Sequence, residues 1–60
     1  MTAREVIRLL KKDGWSEKNQ KGSHKQFTHP VKKGKVTISV HSGDLPPGTL
    51  NSIFKQAGWK

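Results

Sequence analysis

Near the amino end, Ala3, Val6, Ile7 and Leu10 repeat at i, i+3, i+4 and i+7, with Leu9 on the flank. That spacing gathers one apolar stripe and predicts a helix over residues 2 to 13. Thr2-Ala3-Arg4-Glu5 fits a capping box, in which threonine accepts from an orphan N–H and glutamate reaches back to the cap. Gly14 is the expected left-handed stop, and Trp15 folds back on the last turn. Leu50, Ile53, Phe54 and Ala57 repeat the same spacing and predict a second helix, again ended by a Gly-Trp step at Gly58 and Trp59. Pro46 and Pro47 suit its entrance, within the first turn or just before it, where a missing N–H costs nothing. Between the helices the period changes to two. Val36, Ile38 and Val40 alternate with Lys35, Thr37, Ser39 and His41, a strand pattern rich in β-branched residues. Residues 24 to 29 alternate more weakly around Phe27, and Pro30 and Gly34 bracket a turn, so an antiparallel hairpin is expected. Residues 15 to 20 read as a polar edge strand. Two helices with one stripe each and a sheet with one apolar face make a two-layer α+β fold, the other sheet face open to water.

Sixty residues without cysteine bound the rest. A chain this short buries only about 60% of its unfolded surface, so one domain over residues 1 to 60 with a thin core is expected. No disulfide or thiolate metal site can brace it. No run approaches the length of a membrane span and no signal-peptide pattern opens the chain, so a soluble cytoplasmic protein with no membrane role is the expectation. Charge changes the picture most. Twelve Lys and Arg against four Asp and Glu give +8, and residues 18 to 43 hold no acid. Such a field attracts polyanions, nucleic acid first.

Strand parity then sorts the polar residues. With Phe27 inward, His24, Gln26 and Thr28 share the open face with Lys35, Thr37, Ser39 and His41. One register pairs Phe27 with Ile38 and sets His24 opposite His41; a register two residues over keeps the faces and breaks that pairing. A histidine in a basic field suits metal-free cleavage of RNA. A base must take the 2′-hydroxyl proton and an acid must protonate the leaving oxygen, and imidazole can do either near neutral pH. Lys21 and the backbone at Gly22 and Ser23 could steady the charge that develops on phosphorus. Lys25 and Gln26 extend the set of RNA contacts. A three-histidine zinc site is disfavoured, because parity sends His29 inward, away from His24. His29 reads as a turn residue before Pro30. The two tryptophans read as helix-end staples rather than base-stacking platforms.

"KGSHKQFTHP" followed by "VTISVHSGDLPPGTLNSIFKQAGW" resembles the HicA family of toxin ribonucleases from bacterial toxin–antitoxin pairs. The resemblance runs nearly the whole chain, through the Gly-aromatic helix end, the Gly-Ser-His motif, the "HSG" segment and "LPPGTLNSIFKQAG". It implies a fold similar to double-stranded-RNA-binding domains: a helix, three antiparallel strands and a helix. It also implies a metal-independent endoribonuclease that cuts messenger RNA and arrests translation and growth, with no cofactor, and a HicB-type antitoxin that covers the active site. The family's catalytic histidine maps onto His24, and His41 matches a second recurrent position with a supporting role. Many relatives carry proline where this chain has Ser39; serine should leave that strand more regular and adds a hydroxyl to the open face. The alternative function is a non-enzymatic RNA-binding module of the same fold, for which the chain is short, since such domains span about 16 bp.

Overall fold

The computed structural model describes residues 1–40 and 43–60. Helix α1 (Ala3–Lys12) is followed by strands β1 (Ser16–Lys21), β2 (His24–Thr28) and β3 (Val36–Ser39), then helix α2 (Pro47–Gln56). The strands form one antiparallel sheet in the order β1-β2-β3. Side chains from both helices meet Phe27, Val36 and Ile38 in a single core, so the helices cover one face of the sheet. The architecture is the α+β arrangement that the periodicity predicts. Among the described residues no helix is long and apolar enough to cross a membrane.

Helix α1 begins as its sequence requires. Thr2 Oγ1 accepts from the Glu5 N–H at 3.2 Å, and the Glu5 carboxylate accepts from the Thr2 N–H at 2.8 Å. The backbone N–H of Thr2 is the main reason the Glu5 carboxyl lies below its ordinary range. Helix α2 starts without a side-chain cap, with Pro46 just outside and Pro47 in its first turn. The helices end alike. The Gly14 N–H donates to the Lys11 carbonyl and the Trp15 N–H to the Leu10 carbonyl; Gly58 to Lys55 and Trp59 to Phe54 repeat the pattern. Both are Schellman ends, and both glycines have positive φ, +104° at Gly14 and +77° at Gly58.

Burial follows the stripes with local exceptions. Ala3, Val6, Leu10, Ile53 and Ala57 are buried, whereas Ile7, Leu50 and Phe54 pack at the margin. Val40, expected to point into the core with Val36 and Ile38, lies past the end of β3 and stays 37% exposed. Its N–H donates to the Ser23 carbonyl at 2.7 Å, so the backbone there is tied to the β1–β2 turn.

The strand register corrects one expectation. Phe27 pairs with Val36, not Ile38, and His24 pairs with Ser39, not His41. The two-residue shift leaves the paired residues of β2 and β3 on the faces that parity assigned them, because side chains alternate with period two. His41 lies outside the described residues. In β1 the pairing steps from Glu17↔Phe27 to Asn19↔Gln26, so Lys18 is the extra residue of a bulge.

Candidate nucleic-acid interface

The β1–β2 connection is a two-residue hairpin turn, with Lys21 and His24 as the closing pair. Gly22 holds φ at +61° and Ser23 has no positive φ, the pattern of a turn with glycine at its first central position. Glycine is needed there for the backbone angle, since a Cβ at Gly22 would meet nothing within 4 Å. The Gln20 amide donates to the Gly22 carbonyl at 3.0 Å and braces the turn from the side. His24 therefore stands, exposed, at the first position of β2, immediately after a tightly defined bend.

Cross-strand neighbours on one face lie close enough for their side chains to interact. His24 has Lys21 on one side and Ser39 on the other. The next row is Asn19, Gln26 and Thr37, and the row beyond contains Ser16 and Thr28. Lys35 precedes buried Val36 and so extends this face at its far end. Among the described residues the face holds no carboxylate, because Glu17 pairs with Phe27 on the helix side. The bulge at Lys18 decides its membership. Had the ladder continued regularly from Glu17↔Phe27, Lys18 and Gln20 would stand beside Gln26 and His24 in place of Asn19 and Lys21. Nothing in the local sequence announces that step, since all six β1 residues are polar and exposed.

Of the candidate contacts, Lys21, Gly22, Ser23, His24 and Gln26 come together at the turn and on the open face. Lys25 does not. It shares the helix side with Phe27, and its ammonium lies 3.3 Å from the Glu17 carboxylate. A recess of about 500 Å³ on that side is lined by Thr2, Arg4, Ile7, Lys25 and Val40 among others, away from His24. His41 falls outside the described residues, so the histidine side of the face is described for His24 alone.

His29 is engaged elsewhere. Its Nδ1 accepts from the N–H groups of Val31 and Lys32, both at 3.0 Å, which leaves the ring proton on Nε2 to be donated to the Asp13 carbonyl at 2.8 Å. Trp15 meets the same ring edge-on at 5.2 Å between centroids. Both ring nitrogens are thus spent on the backbone, and His29 and His24 lie on opposite faces. Among the described residues no three of His, Cys, Asp and Glu stand together as a metal site.

The tryptophans converge on Asp13. One oxygen of its carboxylate accepts from Trp15 Nε1 at 3.1 Å, Trp59 Nε1 at 3.1 Å and Lys32 Nζ at 2.7 Å. Lys32 also donates to the Ala57 carbonyl at 3.0 Å, so the C-terminal ends of both helices are clasped together. Lys32, counted in the basic stretch, serves the fold.

A protein-family model described as the HicA toxin of bacterial toxin–antitoxin systems matches residues 3–59 of the chain. A comparison with curated proteins returned no significant match.

Proposed function

Since this chain belongs to the HicA family of toxins from bacterial toxin–antitoxin systems, we propose that it is a metal-independent endoribonuclease that cuts messenger RNA at His24. The observation that carries the reading is the exposed imidazole at the mouth of the hairpin, between Lys21 and Ser39, on a sheet face without carboxylates among the described residues. A single strand of RNA lies on that face, held by its phosphates. His24 carries one of the two proton transfers, taking the 2′-hydroxyl proton or supplying one to the leaving 5′-oxygen, and water carries the other. Lys21 and the backbone of the Gly22-Ser23 turn meet the negative charge that grows on the phosphoryl oxygens as the 2′-oxygen attacks. The bond broken is P–O5′, and the products are a 2′,3′-cyclic phosphate and a 5′-hydroxyl. Gln26 contacts the strand one row further along. Lys25, tied to Glu17 on the other side, adds to the overall field. A HicB antitoxin silences the toxin by covering the His24 face.

The test is cleavage of a long single-stranded RNA in excess EDTA by the wild type and by His24→Ala. Loss of one general acid–base group costs on the order of 10²–10⁴ in rate. Cleavage that persists in EDTA, drops by that factor in the variant and leaves RNA binding intact is the expected result. A variant as active as the wild type overturns the role of His24. Binding without cleavage by either protein makes the chain a binding module.

A further inference from the structure

The chain has five primary amides, Asn19, Gln20, Gln26, Asn51 and Gln56. Three of them are spent on the chain itself. Gln20 donates to the Gly22 carbonyl, Gln56 accepts from the Thr37 N–H at the edge of β3, and Asn51 accepts from Lys60. The other two, Asn19 and Gln26, have no hydrogen-bond partner among the described residues. They are cross-strand neighbours in the middle of the open face, one row from His24. Two residues of strand separate that row from the histidine, about 7 Å. The bulge at Lys18 is what makes them neighbours, since a regular ladder from Glu17 would set Lys18 beside Gln26.

We infer that Asn19 and Gln26 form a base-reading pair, which recognises the edge of the nucleobase next to the scissile phosphate and so sets where the RNA is cut. The inference rests on the proposed binding of RNA across the His24 face. Each amide presents a donor and an acceptor in one plane, the complement of a base edge, and single-stranded RNA offers such edges unpaired. Stacking is not the means of recognition here. Trp15 and Phe27 are buried, and Phe54 and Trp59 pack on each other at 5.5 Å. With no Phe, Tyr or Trp on the open face among the described residues, and the one imidazole described there assigned to proton transfer, discrimination falls to hydrogen bonds, while lysines at the two ends of the face hold phosphates without regard to sequence. Asn19 and Gln26 thereby determine specificity, and His24 the chemistry.

Two measurements test this. In the first, cut sites on a long RNA are mapped to the nucleotide for the wild type, Asn19→Ala/Gln26→Ala and the strand-compatible Asn19→Ser/Gln26→Thr. The wild type should favour one base at a position adjoining the cut, and both double variants should flatten that bias at least fivefold while still cutting. Lys35→Gln should weaken cleavage across all sites and keep the bias. In the second, His24→Ala, with and without the amide substitutions, is titrated with the four homopolymeric RNA octamers. Unequal affinities that become equal only when the amides are replaced support the pair even if no cleavage is ever observed, in which case the proposed function fails alone. Cleavage by the wild type with a base bias that both double variants retain overturns the pair and leaves the function standing. Equal affinities for all four octamers before any amide is replaced overturn it as well.

Discussion

Asp13 shows how much one exposed-looking side chain can organise. Its carboxylate gathers Lys32 and both indole N–H groups, and the hydrogen bond from Lys32 is the largest reason its carboxyl lies below the ordinary aspartate range, followed by that from Trp59. A carboxyl depressed in the folded state stabilises the fold above its unfolded pKa, about 3.9, and that contribution disappears as pH falls through the folded value. Thermal melts of the wild type and Asp13→Asn should therefore differ most near neutral pH and draw together in acid. Curves separated by a constant gap down to strongly acidic pH would show that the carboxylate charge is not what matters. At the same scale, His24 needs nothing from the core. It is exposed on the open face, and its substitution should leave the melting temperature where it was while removing cleavage.

At the scale of elements, the end of α1 and the start of the β2–β3 connection are one joint. Gly14 sits at φ +104°, where an L side chain is strained, and a Cβ built there would lie 2.8 Å from His29 Nε2. Gly14→Ala should thus lose at least about 1–2 kcal/mol from the backbone alone, with a further loss as the imidazole leaves the Asp13 carbonyl. Urea unfolding measures it, and a variant as stable as wild type would mean that the helix end is not fixed as described. The helix boundaries, both Schellman ends, the capping box and the polar edge strand were legible in short windows, because each depends on residues within one or two turns of each other. The register of β3 against β2 was not. Moving the pairing by two residues keeps Val36 and Ile38 in the core, so the hydrophobic pattern cannot choose between the two registers. The ties from Val40 to Ser23 and from Thr37 to Gln56 hold the register that is found.

For the whole molecule, the charge of +8 is not spread evenly in its effect. Lys25 and Lys32 are neutralised by Glu17 and Asp13 on the helix side and at the helix ends. The open face keeps Lys21 near His24 and Lys35 about 13 Å away along β3, with only neutral polar residues described between them. A strand of RNA laid between these cations meets at least two of them. Its affinity should fall with salt at a slope of about −1.4 in log–log form, 0.7 for each phosphate neutralised. Replacing Lys21 and Lys35 together by glutamine should nearly abolish that dependence, as measured by fluorescence anisotropy on the His24→Ala background. An unchanged slope would place the RNA on another surface.

The sequence by itself determined the elements and the two faces of the sheet, because apolar spacing and cap chemistry act over a few residues and side-chain alternation survives a shift of two. It also marked His24, Lys21 and the Gly22 turn, which are contiguous in the chain. Tertiary structure decided who stands beside whom. It set Ser39 opposite His24, joined Asn19 to Gln26 through a bulge, paired Lys25 with Glu17, and drew Trp15, Trp59 and Lys32 onto Asp13. Each of these is a meeting of residues distant in sequence or a one-residue slip in a polar strand, and local propensity carries no energy difference that would select it.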